Sequence, residues 1–147
     1  LERLETSSMP CDKICLEITE TAAMRNLDQA IAFFTKVKAL GCMIALDDFG
    51  SGLSSFGYLK KLPVDIVKID GLFVKDMDKN ETDRVMVRSI NDLAKQMGKV
   101  TVAEFVENSQ IIDHLLELGV DYGQGYVIGH PKPLAQLVEE LEQERSC

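Results

Sequence analysis

The sequence predicts an α/β fold of about five βα units with parallel strands. Three observations carry this. Short apolar runs rich in Ile and Val recur five times, each is followed by a turn with acidic or glycine residues, and each turn leads into an amphipathic segment. Runs that are apolar throughout read as strands covered on both faces, as in parallel sheets whose crossover helices pack on them.

Taken in order, the strands are expected at Ile14 to Ile18, Met43 to Leu46, Ile66 to Ile69 and Val100 to Ala103, with a weaker one at Val120 to Tyr122. The first long helix is written by Leu27, Ile31, Phe34, Val37 and Leu40; Asn26 or Asp28 can cap its start, and Gly41 ends it. A second runs from about Glu81 to Met97 before Gly98, a third from about Ser109 to Leu118 before Gly119, and a last one from Leu134 behind Pro131 and Pro133. The chain begins at Leu1 in what reads as a helix. No Gly, Ser or Pro linker divides it, and no sequence repeat marks a solenoid. Five such units suit either a small doubly wound sheet or part of an eight-stranded barrel, and periodicity does not choose. Neither GxGxxG nor GxxxxGK[ST] follows any strand, which removes the main support for a dinucleotide-binding reading.

With 147 residues the chain is of single-domain size, and 46% hydrophobic with 27% charged residues reads as globular rather than disordered. No run approaches the ~20 apolar residues of a membrane span, and LERLETSS is no signal peptide, so the chain reads as soluble and intracellular. A net charge of -8 disfavours a nucleic acid polymer as partner. Cys11, Cys15, Cys42 and Cys147 include no CxxC pair and read as reduced structural thiols.

Polar residues collect where a parallel α/β fold places its ligands, at the carboxyl ends of the strands. Glu17 and Thr19 alternate on the first, with Glu20 beyond; Asp47 and Asp48 end the second; Lys68 and Asp70 close the third; Glu104 and Glu107 close the fourth; Gln124 follows the fifth. Carboxylates converging there repel one another unless cations share them, and hard oxygen donors without histidine select Mg²⁺ or Mn²⁺. A lysine beside them suggests phosphate chemistry, in which two metals clamp a phosphodiester and Lys68 activates water or offsets developing charge. The bland reading is that Glu20, Asp70 and Glu107 cap helices, and that Lys68 is salt-bridged inside its apolar strand. His114 and His130 have no partner and read as structural. Asp48 to Ser55, DFGSGLSS, is a loop that can change shape or cradle an anion, and the companion motifs of a kinase are missing.

Five segments, LEITET, ALDDFGSGLSSFGYLKKLPVDIVKID, the FV at Phe73 and Val74, AEFVEN and GQGYVIGHPKPL, resemble in order the EAL family of bacterial phosphodiesterases, which hydrolyse cyclic di-GMP to linear pGpG on a (β/α)8 barrel. The resemblance implies an incomplete TIM-type barrel, residues 1–147 being the C-terminal portion of one EAL domain. It implies Glu17 and Asp47 as metal ligands, Asp48 and Glu104 at the second metal or its bridging waters, and Lys68 acting with Glu104 on the attacking water. Glu20 would anchor the Asp48 to Ser55 loop, which couples dimerisation to metal binding, and Gln124 would lie near the site, as would Glu107 and Asp70. Implied with these are Mg²⁺ or Mn²⁺, cyclic di-GMP as ligand, a homodimer, attached sensory or GGDEF domains, and a cytoplasmic location. Departures accompany the match. A barrel of this type takes about 250 residues, and the first strands, the Glu-Ala-Leu signature and an asparagine ligand are expected to lie outside this chain. Phe105 replaces the glycine of the family's AEGVE, and would either fill the core or distort Glu104. The alternatives are an inactive module that binds cyclic di-GMP or relays a signal, and a folded remnant with an oligomeric role.

Overall fold

The computed structural model describes residues 10–51 and 56–144; Leu1, Cys147 and most of the glycine-serine loop lie outside the described residues. A 3-10 turn at Cys11–Lys13 precedes β1 (Cys15–Thr19), α1 (Glu20–Arg25), α2 (Leu27–Ala39) and β2 (Met43–Phe49). A second 3-10 turn at Phe56–Tyr58 leads to β3 (Ile66–Ile69), α3 (Gly71–Val74), α4 (Glu81–Gln96), β4 (Val100–Ala103), α5 (Ser109–Leu118), β5 (Tyr122–Gly123) and α6 (Leu134–Glu144).

The strands form one sheet in the order β1-β2-β3-β4-β5, every neighbouring pair parallel. This order decides what periodicity left open. A doubly wound sheet reverses its order at a switch point, whereas strands laid down consecutively in one direction are the pattern of a barrel wall. β5 is two residues long and starts two residues later than expected, because Asp121 turns back to accept from Thr101 N at 2.8 Å.

Register sorts the side chains into two faces. Ile44, Leu46, Val67, Ile69 and Ala103 are buried with Phe34 and Val37 of α2, Val87, Ile90 and Ala94 of α4, and Ile111 and Leu115 of α5. Cys15, Met43, Val100 and Tyr122 belong to the opposite face and are exposed, Tyr122 by 66%. Ala45 and Lys68 are buried on that face too, so the expectation of strands covered on both faces holds fully on one face and in part on the other among the described residues.

The long helices form as patterned. Asn26 caps α2 by accepting from Gln29 N, Asn80 caps α4 through Thr82 N, and Asn108 caps α5 through Ile111 N. Periodicity missed α1 and α3, which are too short to show a period. Thr19 ends β1 and caps α1 by accepting from Ala22 N, so strand passes into helix with no loop. The histidines are not without partners: His114 lies 3.2 Å from Arg84 and 3.6 Å from Glu117, and His130 stacks on Tyr126 with centroids 4.7 Å apart. Cys11, Cys15 and Cys42 are free thiols.

Candidate functional site

The site begins with an irregularity in β2. Strand alternation sends adjacent aspartates to opposite faces, yet Leu46 pairs with Val67 and Phe49 with Ile69, so Asp47 and Asp48 together oppose the single residue Lys68. Asp48 takes φ +55 within this bulge. The kink brings carboxylate oxygens of Asp47, Asp48 and Glu104 within 4.8 Å of one another.

Lys68 stands at the centre. Its side chain is 7% exposed, and its Nζ lies 3.1 Å from Glu17 Oε2, 2.8 Å from Asp47 Oδ1 and 2.9 Å from Glu104 Oε1. Register explains the convergence: Glu17 pairs with Ala45 and Ala45 with Ile66, so Glu17, Asp47 and Lys68 follow one another across the exposed face. Glu104 follows β4 and donates its N–H to Ile69 O, which sets its side chain beside Lys68. Burial acts against the charge on Lys68, but hydrogen bonds to Asp47, Glu104 and Glu17 outweigh it and hold the pKa above the ordinary lysine range. Burial raises the Glu104 carboxyl, Asp47 and Asp48 raise it further, and Lys68 opposes them. Asp48 is likewise raised by burial and then by Asp47 and Asp70.

These residues fit a hard divalent cation. The donors are all carboxylate oxygens, and the buried Asp47 Oδ1 is held by Lys68 Nζ at 2.8 Å. Glu17 stands outside the three-carboxylate cluster, half-exposed and tied to it through Lys68.

Glu20 is buried, and its carboxylate accepts from Gly50 N at 3.0 Å and from the Tyr58 hydroxyl. These donors flank residues 52–55, so one carboxylate holds both ends of the loop. Burial and then the Glu20 carboxylate push the Tyr58 hydroxyl far up, so it stays a donor. Gly50 sits at φ +101, where an added Cβ would meet Ile90 at 2.8 Å. Nothing in the periodicity marks Tyr58 for this role.

The remaining candidates are spread around the rim. Asp70 caps α3 by accepting from Leu72 N at 2.9 Å. Glu107 and Gln124 are exposed and line a cavity of about 260 Å³ together with Glu104, Phe105 and Tyr126. Gln124 is fixed through its backbone, its N–H donating to Ala103 O and its carbonyl accepting from Val106 N. Gly125 must be glycine, since a Cβ there would lie 2.1 Å from Val106 O. Phe105 does not fill the core: its side chain is on the surface, its φ is +54, and its ring lies against Gly71. Glu104 keeps its place beside Lys68.

Comparisons with known proteins identify the family. The family model of the EAL domain matches residues 1–131. The chain is 51% identical over 134 residues to the cyclic di-GMP phosphodiesterase PdeB of Shewanella oneidensis, covering 91% of this chain and 16% of that protein. It is 42% identical over 133 residues to the cyclic di-GMP phosphodiesterase PdeA of Borreliella burgdorferi, covering 90% and 20%. Among solved structures, the PaMucR phosphodiesterase in complex with c-di-GMP superposes with a TM-score of 0.86 at 35% identity, over 92% of this chain and 55% of that one. The EAL domain of Mycobacterium smegmatis DcpA gives 0.85 at 34% identity, over 92% and 60%. The chain thus spans a fifth or less of these curated relatives and little more than half of the solved chains. With the match covering residues 1–131 of 147, the chain belongs to the EAL domain family.

Proposed function

We propose that this chain is the C-terminal portion of an EAL domain that hydrolyses cyclic di-GMP to linear pGpG with Mg²⁺ or Mn²⁺. The observation that carries the reading is the Lys68 ammonium held by Glu17, Asp47 and Glu104 beside the Asp47, Asp48 and Glu104 cluster. Relatives at 42% and 51% identity that are named cyclic di-GMP phosphodiesterases support it.

In this reading Asp47, Asp48 and Glu104 hold metal, with Glu17 at the outer side. Bound there, the divalent cations would supply Lewis-acid activation of water and of the phosphodiester oxygens. Lys68, an ammonium among three carboxylates, cannot take a proton from water. It donates hydrogen bonds, orienting the nucleophile and offsetting negative charge that grows on the phosphoryl oxygens. Glu104, 2.9 Å from Lys68, is placed to accept the proton that water loses. Glu20, through Gly50 and Tyr58, fixes the segment that follows Asp48 and so the position of Asp48 itself. Gln124 and Glu107 line the adjoining cavity, where the nucleotide beyond the scissile bond would lie.

The same reading places the chain in the cytoplasm, where free thiols stay reduced, attached to sensory or GGDEF domains and working as a homodimer. Free Cys11, Cys15 and Cys42 support the first point, and the similarity to a bifunctional diguanylate cyclase and phosphodiesterase of Pseudomonas aeruginosa supports the second. The apolar residues exposed on the uncovered sheet face support association with further polypeptide. No described helix is long and apolar enough to cross a membrane.

The test is chromatographic product analysis of the complete EAL domain that contains this chain with cyclic di-GMP and Mn²⁺, with and without chelator. Metal-dependent pGpG is expected. Tight binding with no product would favour the non-hydrolysing module, and neither binding nor product would remove both.

A further inference from the structure

We infer that the cavity between the α3–α4 turn and α5 is a binding site for an aliphatic diamine, an organic cation with an ammonium at each end of a short chain. It shares no residue with the site of the proposed function. The cavity holds about 290 Å³ and is lined by Asp78, Gln110, Asp113, His114 and Glu117, so three carboxylates line it with neither lysine nor arginine among them. Gln110 and His114, like Asp113 and Glu117, are four residues apart and share one face of α5. Asp78 comes from the turn and is the residue that points to a ligand. Its side chain is 2% exposed, and its Oδ1 is buried with no hydrogen-bond partner among the described residues. The other oxygen has only distant partners: Asn108 Nδ2 donates to Oδ2 at 3.4 Å, and Lys79 Nζ stands 3.7 Å away on an exposed side chain. A buried carboxylate left under-paired costs free energy that a counter-charge beside it offsets. Asn108 also caps α5 through Ile111 N, and so sets Asp78 beside the first turn of that helix. His114 is already engaged, with Arg84 3.2 Å from its Nε2 and Glu117 3.6 Å from its Nδ1. Spacing selects the kind of cation. Among the described residues, the acidic group whose oxygens come within 4.8 Å of one another is Asp47, Asp48 and Glu104, so the acids here stand too far apart to share one metal ion. Two ammonium groups joined by methylenes reach separated carboxylates, and the Gln110 amide oxygen can accept a further N–H.

The experiment is calorimetric titration of the complete EAL domain that contains this chain with 1,4-diaminobutane at fixed ionic strength, beside Asp78→Asn, Glu117→Gln and Asp92→Asn, with melting temperatures recorded. Asparagine keeps the shape of aspartate and an oxygen for Asn108 while removing the under-paired charge, so Asp78→Asn is expected to melt no lower than the unaltered domain and to bind the diamine about tenfold or more weakly. Glu117 is exposed, so Glu117→Gln keeps the fold and is expected to weaken binding by about threefold. Asp92→Asn changes an exposed acid of α4 outside the cavity and is expected to leave binding unchanged. 1-Aminobutane, with one ammonium, is expected to bind about tenfold more weakly than the diamine. No binding by the unaltered domain, or equal binding by Asp78→Asn and Glu117→Gln, overturns the inference and leaves the proposed function standing, since pGpG formation tests that separately. Equal binding of 1-aminobutane would make this a pocket for a single lysine-like charge, and displacement of the diamine by equimolar Mg²⁺ would make it a metal site; either result overturns the diamine.

Discussion

The two ends of the sheet treat charge in opposite ways. At the amino ends of the strands, acids are matched: Asp65 accepts from Ile44 N at 3.0 Å and pairs with Lys38, Asp121 accepts from Thr101 N and Oγ1, and Lys99 donates to the carbonyls of Leu62 and Val64. At the carboxyl ends, the carboxylates of Glu17, Asp47, Asp48 and Glu104 gather about one described cation, Lys68, which pairs with three of them. The first arrangement fastens strand to strand and strand to helix. The second holds excess negative charge that folding alone does not require, and a bulge and a left-handed aspartate are maintained to keep it there. One end is built for stability, and the other gathers the carboxylates that the proposed function gives to a cation.

The largest expected effect sharpens that contrast. Lys68→Ala removes the ammonium shared by three carboxylates, and in the complete domain of the proposed function turnover of cyclic di-GMP should fall by about a hundredfold or more; product chromatography checks it, and unchanged turnover would separate Lys68 from the chemistry. At the helix-covered face, Leu46→Ala deletes a fully buried side chain and should cost about 2–5 kcal/mol of stability, read from urea denaturation midpoints.

Asp121→Asn breaks the comparison from the other side. It should lower stability at pH 7 by about 1 kcal/mol, the low end for a charged hydrogen bond because the side chain is one-third exposed, and leave turnover unaltered. Burial disfavours the Asp121 charge, but hydrogen bonds from Thr101 and the Lys95 charge prevail and depress its pKa. A depressed carboxyl gives its stability in full above the unfolded value of about 3.9 and loses it as pH falls through the folded value. The gap between Asp121→Asn and the unaltered chain should therefore be widest near neutral pH and close below pH ~3.9. A gap that widens in acid would mean the contacts with Thr101 do not hold the charged form. The smallest effect is expected from Asn26→Ala, which removes the α2 cap at a cost of about 1 kcal/mol in the same denaturation assay and has no bearing on the site.

Much of this was legible in the residues, for physical reasons. The long helices showed their apolar pattern and, for three of them, the glycine that stops them, with Asn26 among the two caps read for the first; strands showed their apolar runs. α1 and α3 are shorter than the pattern that would reveal them, and they are set by the Thr19 and Asp70 caps rather than by an apolar stripe. The barrel-like order of the sheet is a property of pairing between distant segments, which no local period encodes. The candidate residues could be read as an acidic set at strand ends. Their convergence was expected from the strand ends, but not how both aspartates share it, because alternation assigns Asp47 and Asp48 to opposite faces and the bulge reunites them. For Phe105 the residues left two outcomes open, filling the core or distorting Glu104, and the structure shows neither: a left-handed backbone turns the ring outward while Glu104 stays beside Lys68.

The account stands most directly on cation binding at the carboxyl ends of the strands. Electron paramagnetic resonance titration of the chain with Mn²⁺, beside Asp47→Asn and Asp121→Asn, measures it. The account predicts Mn²⁺ binding that Mg²⁺ displaces, weakened at least tenfold by Asp47→Asn and unchanged by Asp121→Asn. Equal Mn²⁺ affinity in the chain and in Asp47→Asn would contradict it.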